Sequence, residues 1–217
     1  MANIIFDLDG TLIDSAADIQ SAVNKMLDDI GQPALDLPTV ISFIGQGVPR
    51  LVEQVMDHLD LSHRDHSALT QSMLAHYTAA PHDQTSVFSG VTHALHALAQ
   101  AGHRLGICTN KPYAPALGCL DALGLSPYFD VVVGGDSVAV KKPDPAHLFA
   151  CAQMLGGGPI LFVGDSDVDA ETAKRAGVPF LLFTQGYRKA EITDLYHTAA
   201  FDSYSNFDGL VRKVLST

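Results

Sequence analysis

Four short groups of polar residues each follow an apolar run, and together they hold a set of residue types suited to chemistry around a metal ion. The residues singled out are Asp7 and Asp9, Thr109 and Asn110, Lys142, and Asp165 with Asp169. Carboxylates packed together raise one another's pKa, and a divalent cation removes that conflict. Mg²⁺ prefers a few carboxylates completed by water and substrate oxygens. The pattern therefore predicts a magnesium site, with Asp7 and Asp165 as its natural ligands.

Apolar runs that alternate with helical patterns are the elements that must position these residues. The predicted buried strands are Ile4–Phe6, Leu105–Cys108, Val131–Val133, Ile160–Val163 and Phe180–Phe183. Strands that alternate with helices are typical of a parallel sheet, whose carboxyl ends border the ligand crevice. The sequence thus predicts an α/β fold, a Rossmann-like parallel sheet flanked by helices, with the polar groups converging at one edge.

Residues 15 to 81 interrupt this alternation, because they contain helical patterns and no convincing strand. Ile19 to Ile30 and Leu51 to Leu59 repeat apolar residues at helical spacing, and Ser15 is predicted to cap the first of these helices. A third helix is predicted over roughly Asp65 to Ala79. We therefore predict a small helical cap domain over 15–81, inserted in an α/β core domain formed by 1–14 and 82–217.

The order of the polar groups resembles that of the haloacid dehalogenase superfamily, in its phosphatase branch. The four motifs are Asp7-x-Asp9-Gly10-Thr11, Thr109 after an apolar strand, Lys142-Pro143, and Gly164-Asp165 with Asp169. A single such motif is weak, whereas four in order, each at a strand end, are specific. The resemblance spans essentially the whole chain, and a helical insert after the first motif matches the cap of one subgroup.

The resemblance implies a role for each core residue. Asp7 would attack phosphorus and become a phospho-aspartate, and Asp9 would protonate the leaving alcohol and later deprotonate water. Thr109 and the backbone amide of Asn110 would hold the phosphoryl oxygens, and Lys142 would offset charge between nucleophile and phosphate.

The metal site implied by the resemblance holds Mg²⁺ through Asp7, Asp9 and Asp165. Asp9 would contribute through its backbone carbonyl, once the chain bends at Gly10. Asp169 would hold a metal-bound water or an outer contact.

The cap segment Phe43–Val48 resembles the substrate-facing loop of phosphoglycolate phosphatases. Gly45, Gln46 and Gly47 would therefore contact the substrate. Many relatives carry an arginine early in the next helix, where this chain has Gln54. We predict that Arg50, one turn earlier, replaces it.

Other branches of the same fold set the alternatives. Asp9 and Asp165 argue against a metal-free dehalogenase. A small phosphorylated metabolite such as 2-phosphoglycolate is the expected substrate. A sugar-phosphate phosphatase, a β-phosphoglucomutase-like phosphomutase and a non-enzymatic regulatory module on the same fold stay open.

The composition limits the kinds of binding partner that we expect. The 217 residues carry a formal charge of −11 with no basic run, which disfavours nucleic-acid binding. The longest apolar runs are too short to span a bilayer, and three cysteines without CxxC spacing suit a reducing compartment. We expect a cytoplasmic protein, monomeric or homodimeric, with no membrane contact.

Overall fold

A parallel six-stranded sheet forms the centre of the molecule. The computed structural model describes residues 1–79 and 83–216. Their strands and α-helices are, in chain order, β1 Asn3–Phe6, β2 Ile13–Asp14, α1 Ala16–Asp29, α2 Leu37–Ile41, α3 Val48–His58, α4 His66–Thr78, β3 Ser86–Val87, α5 Val91–Gln100, β4 Arg104–Cys108, α6 Tyr113–Ala122, β5 Val131–Val133, α7 Pro145–Met154, β6 Ile160–Gly164, α8 Asp167–Ala176, β7 Phe180–Phe183, β8 Ala199–Phe201 and α9 Phe207–Leu215. The strand order is β5-β4-β1-β6-β7-β8, so β1 lies between two parallel neighbours.

Both faces of the sheet are covered, because successive side chains of a strand point to opposite sides. On β1, Ile4 and Phe6 pack into the apolar cluster under α5, α6 and α9. Ile5 packs into the cluster on the other face, under α7 and α8. Strands buried on both faces read as continuous apolar runs, which is why the sequence signalled them. The predicted α/β fold class is confirmed.

Three strands were not predicted from the sequence. β8 is the edge strand next to β7, and its residues are only partly buried. β2 and β3 form a separate two-residue antiparallel ladder, in which Ile13 pairs with Val87. Pairing this short has no recognisable periodicity, since two residues cannot display an alternation.

Helices α1 to α4 pack on one another around a core of their own, which includes Val23, Met26, Val52 and Met73. The three longer helices were predicted, and α2 was not. The predicted capping role of Ser15 is wrong, because its side chain makes no capping hydrogen bond. The division into core and cap stays a prediction, and its second boundary, at residues 81 and 82, lies outside the described residues.

The three cysteines are buried, and none of them forms a disulfide with another described residue. Within residues 1–79 and 83–216, no helix combines the length and the apolar character that crossing a bilayer requires.

Candidate active site

Strand register brings the polar groups that follow β1, β4 and β6 to the same level of the sheet. Phe6 of β1 is opposite Ile107 of β4 on one side and Val163 of β6 on the other. The residue after Phe6 is Asp7, and its backbone amide donates to the carbonyl of Val163 at 2.9 Å. Asp165 comes directly after β6, so its carboxylate and that of Asp7 both emerge at the carboxyl edge of the central strands.

Lys142 connects the third group to this edge. Its Nζ lies 2.9 Å from Oδ1 of Asp7 and 2.6 Å from Oδ1 of Asp169. The side chain is 1% exposed. Although burial disfavours the ammonium, the charges of Asp169 and Asp7 outweigh it and raise the pKa of Lys142. Lys142 is therefore a permanent cation that faces two carboxylates.

One lysine does not balance the charge of this cluster. Asp7, Asp165 and Asp169 each offer an oxygen, and these three oxygens all lie within 4.8 Å of one another. Burial, and then the charge of Asp169, raise the pKa of Asp7 to about 7. Burial, followed by the charges of Asp169 and Asp7, raises the pKa of Asp165 well above its usual range. Carboxylates crowded in this way are stabilised as anions by an added cation.

The donor set of this cluster fits a hard divalent cation. Oδ1 of Asp7 is buried, and its close neighbour is the ammonium of Lys142, 2.9 Å away. All three candidate donors are oxygens, which suit Mg²⁺ rather than a softer metal. The predicted pairing of Asp7 with Asp165 in a metal site therefore has compatible geometry, and stays a prediction.

Asp165 is held rigidly from two directions. Its Oδ1 accepts a 2.6 Å hydrogen bond from the hydroxyl of Thr11, and its Oδ2 accepts one of 2.6 Å from the backbone amide of Tyr187. Gly186 allows this approach, since a Cβ there would lie 2.3 Å from Oδ2 of Asp165. Gly10, at φ +82°, would clash with the same oxygen if it had a side chain.

Asp169 is tied to the start of α8. Its Oδ2 accepts hydrogen bonds from the backbone amide and the hydroxyl of Ser166, while Oγ of Ser166 accepts from the amide of Asp169. This reciprocal capping box fixes the carboxylate. Asp169 therefore orients Lys142 through its other oxygen, and its predicted outer contact with the metal stays a prediction.

The side chain of Asp9 points to the cap side of the site. Its Oδ1 accepts from the hydroxyl of Ser15 at 2.6 Å and lies 2.8 Å from Nζ of Lys111. It is not one of the three clustered carboxylates of the described chain. This separation suits proton transfer by Asp9, and leaves the predicted metal contact of its backbone carbonyl untested.

Asn110 links three segments of the site through its side chain. Its amide group donates to the carbonyls of Gly45 and Lys142, both at 3.0 Å, and its Oδ1 accepts from the amide of Lys142 at 3.0 Å. Neighbouring Thr109 is buried, and its hydroxyl accepts from the amide of Lys111 at 3.2 Å. Asn110 thus connects the cap loop to the lysine loop, a role that the sequence did not indicate.

A cavity lies between the cap and the carboxyl edge of the sheet. Its volume is about 50 Å³. Its lining residues are Asp7, Asp9, Ile19, Ile44, Gly45, Gly47, Val48, Leu51, Met73, Tyr77, Thr109, Asn110, Lys111 and Pro112. The nucleophile, the acid and the phosphoryl-binding residues predicted from the sequence therefore share one small space.

Two predicted substrate contacts lie apart from that lining. Arg50 is 45% exposed and pairs with Glu53 at 2.5 Å, and neither it nor Gln46 is among the described residues that line the cavity. Their roles stay predictions. The lining includes Tyr77, which the sequence did not indicate. It also includes Lys111, which the sequence offered only as one of three lysines, with Lys141 and Lys142, whose charge could offset that of a phosphate substrate.

Comparison with known proteins agrees with this geometry. The family model described as haloacid dehalogenase-like hydrolase matches residues 4–183. A phosphoglycolate phosphatase of Cereibacter sphaeroides strain ATCC 17029 / ATH 2.4.9 is 42% identical over 219 residues, which cover 100% of both chains. A plasmid phosphoglycolate phosphatase of Cupriavidus necator H16 is 44% identical over 85% of this chain and 81% of that one.

A solved structure shows the same fold over nearly the full length. The crystal structure of a predicted phosphoglycolate phosphatase from Haemophilus somnus 129PT superimposes with a TM-score of 0.90 at 28% identity, covering 97% of this chain and 98% of that chain. The family and the enzyme class predicted from the motifs are confirmed. The chain belongs to the haloacid dehalogenase-like hydrolase family, in which it is similar to phosphoglycolate phosphatases.

Proposed function

We propose that this enzyme hydrolyses a small phosphomonoester, with 2-phosphoglycolate as its preferred substrate, through a phospho-aspartate on Asp7. The observation that carries the proposal is the position of Asp7, at the end of the central strand, beside buried Lys142 and in the cavity wall. Full-length relatives named phosphoglycolate phosphatase support the choice of substrate.

Asp7 and Asp165, with Asp169 beside them, are the residues that would hold Mg²⁺. When bound, this ion shields the substrate phosphate from the Asp7 carboxylate and offsets charge on the transferring group. Asp165 is suited to the task because both of its oxygens are already oriented by hydrogen bonds.

In the first step, an oxygen of Asp7 attacks phosphorus. The bond between Asp7 and phosphorus forms while the ester P–O bond breaks, and Lys142 offsets the negative charge that gathers there. Asp9 donates a proton to the departing oxygen. The alcohol part of the substrate leaves protonated, and Asp9 remains as a carboxylate beside Ser15 and Lys111.

In the second step, Asp9 removes a proton from water, and the water oxygen attacks phosphorus. The bond from phosphorus to Asp7 breaks, inorganic phosphate forms, and Asp9 is protonated again for the next turnover. The cap limits bulk water during these steps, because Ile44, Val48 and Leu51 line the cavity opposite the carboxylates.

The size and lining of the cavity favour a small substrate. A cavity of about 50 Å³ is too small for a bulky substrate unless the cap moves. A sugar phosphate carries several hydroxyl groups, and the apolar cap residues offer these no hydrogen-bond partners.

The test is release of inorganic phosphate from a series of small phosphomonoesters. We expect 2-phosphoglycolate to be hydrolysed with the highest kcat/KM, a chelator to abolish turnover, and added Mg²⁺ to restore it. Asp7→Asn should lower kcat by at least about a thousandfold, as loss of a nucleophile does. Asp28→Asn, at an exposed position on α1, is the matched control and should leave kcat unchanged.

Two results would count against the proposal. Turnover by Asp7→Asn near the wild-type rate would rule out a phospho-aspartate intermediate on Asp7. Faster hydrolysis of a sugar phosphate than of 2-phosphoglycolate would assign the enzyme to another branch of phosphatases.

A further inference from the structure

Lys111 is a buried cation in the wall of the cavity. It lies just beyond Thr109 and Asn110, at the start of the segment that leads to α6, and its side chain is 2% exposed. Among the described lining residues, it is the one with a cationic side chain. Because a buried ammonium costs several kcal/mol unless it is compensated, its position in this wall calls for a physical reason.

The acceptors that surround Lys111 are one carboxylate and two neutral groups. Its Nζ pairs with Asp9 at 2.8 Å and hydrogen bonds to the hydroxyl of Tyr77, and it also interacts with the thiol of Cys119. A neutral hydroxyl and a thiol are weaker partners for an ammonium than a second carboxylate. A substrate anion that reached Lys111 would therefore replace the weaker of its contacts.

No other described lining residue has a positive charge that could neutralise a substrate carboxylate. Its cap-side lining is apolar, formed by Ile19, Ile44, Val48, Leu51 and Met73. A carboxylate that enters such a space without a partner loses its hydration uncompensated. The anions already present, Asp7 and Asp9, would repel it. Lys111 supplies the missing positive charge.

Among the other nearby cations, Lys141 reaches the position of Gly47 but is not one of the described lining residues, and two others are engaged elsewhere. Lys142 lies against Asp7 and Asp169, in the part of the site that handles the phosphoryl group. Arg50 is 45% exposed and pairs with Glu53, outside the lining. Lys111 is therefore better placed than Arg50 to meet the acid end of a substrate.

We infer that Lys111 binds the substrate carboxylate and makes the enzyme select phosphorylated short-chain acids over neutral phosphate esters of the same size. The inference rests on the proposed phosphatase function and adds a specificity residue to it. Tyr77 belongs to α4 of the cap, whereas Lys111 belongs to the core. The carboxylate therefore binds where the two parts meet, and is enclosed only while the cap is closed over the site.

The test compares two substrates of nearly equal size. One is 2-phosphoglycolate, and the other is 2-hydroxyethyl phosphate, in which an alcohol replaces the carboxylate. In the wild type, kcat/KM should favour 2-phosphoglycolate. Lys111→Met removes the charge and keeps much of the length, and should reduce this preference by about ten- to a hundredfold, the range for hydrogen bonds to charged groups. The loss should appear mainly in KM.

The ratio of the two substrates separates recognition from other effects of the variant. Loss of the contact between Lys111 and Asp9 would slow the hydrolysis of both substrates alike. This effect therefore cancels in the ratio of their kcat/KM values. Lys25→Met, at an exposed position of α1, is the matched control and should keep the wild-type ratio. Lys111→Arg, which retains the positive charge, should recover part of the preference.

A direct measurement of substrate binding tests the inference even if the variant turns over too slowly for a kinetic assay. In an Asp7→Asn background, calorimetry should show that Lys111→Met weakens the binding of 2-phosphoglycolate by the same ten- to hundredfold. The affinity for 2-hydroxyethyl phosphate should stay nearly unchanged. If Lys111→Met does not fold, Lys111→Gln replaces it, since its amide keeps a donor for Asp9 and Tyr77.

The outcomes distinguish this inference from the proposed function. A wild type that prefers 2-phosphoglycolate, with an equal loss on both substrates in Lys111→Met, overturns the role of Lys111 and leaves the phosphatase intact. A wild type that hydrolyses neither ester overturns both.

Discussion

Gly186 offers a sharp test of how the site is built, because its lack of a side chain allows Asp165 to be placed. A Cβ at this position would lie 2.3 Å from Oδ2 of Asp165 and 2.3 Å from the carbonyl oxygen of Gly10. Contacts under 3.0 Å are essentially never seen for a Cβ, so in Gly186→Ala the groups must separate by about 0.7 Å. One of the two neighbours is a predicted metal ligand and the other is backbone.

The size of the effect follows from that displacement. Overpacking of a tight site costs about 1–3 kcal/mol of folding free energy. For a chain of this length, Tm should fall by roughly 2–4 °C for each kcal/mol. A catalytic group misplaced by about 1 Å can cost a hundredfold in rate, so we expect kcat/KM to fall roughly ten- to a hundredfold. The concentration of Mg²⁺ that gives half-maximal activity should rise.

The assay is phosphate release from 2-phosphoglycolate over a series of Mg²⁺ concentrations, together with a thermal melt. Gly124→Ala is the matched control, because a Cβ there meets nothing within 4 Å and only its φ of +67° is strained. The control should lose about 1 kcal/mol of stability and keep its rate. Wild-type kinetics and wild-type Mg²⁺ dependence in Gly186→Ala would refute the placement of Asp165 in the metal site.

Three further predictions concern groups that hold the site together. Lys142→Ala leaves two buried carboxylates unpaired, and should cost about 3–5 kcal/mol in the free energy of unfolding measured by denaturant titration; a loss under 1 kcal/mol would contradict the buried ion pairs. The hydroxyl of Tyr187 accepts from the amides of Ser15 and Ala16 and donates to Asp14, so Tyr187→Phe should cost about 1–3 kcal/mol by the same titration; an unchanged midpoint would refute this junction between core and cap. Burial, and then the charge of Lys142, lower the pKa of His147 to about 4 in the folded protein. As pH falls, His147 is therefore protonated in the unfolded chain before it is protonated in the folded protein. Stability should therefore decline between about pH 6.5 and pH 4 by at most about 3 kcal/mol, and His147→Asn should lessen that slope; parallel pH profiles for the two proteins would contradict it.

The sequence predicted the parts of this molecule that repeat a local pattern. Apolar runs marked five of the six strands of the main sheet, and the strand ends marked Asp7, Thr109 and Asp165. Convergence of these residues followed from a general property of parallel sheets, and the register of β1 with its neighbours agrees with it. Lys142 was identified by its motif, and the structure places it against Asp7.

The sequence did not predict contacts made by side chains far apart in the chain. Lys111 is 102 positions from Asp9, and the hydroxyl of Tyr187 meets Ser15 across 172 positions. Neither contact has a local signature, since each depends on how the cap closes over the sheet. The expected helix cap at Ser15 failed for a more local reason, because its hydroxyl donates to Asp9, six positions earlier, instead of accepting from its own helix.

The central claim is that Asp7 carries the phosphoryl group during turnover. The most direct measurement is to stop the enzyme during hydrolysis of 2-phosphoglycolate with Mg²⁺, trap the acyl phosphate by reduction, and locate the modified residue by peptide mass spectrometry. The account predicts modification of Asp7 alone and none in Asp7→Asn. Modification of another residue, or an unmodified Asp7 in an enzyme that is turning over, would contradict it.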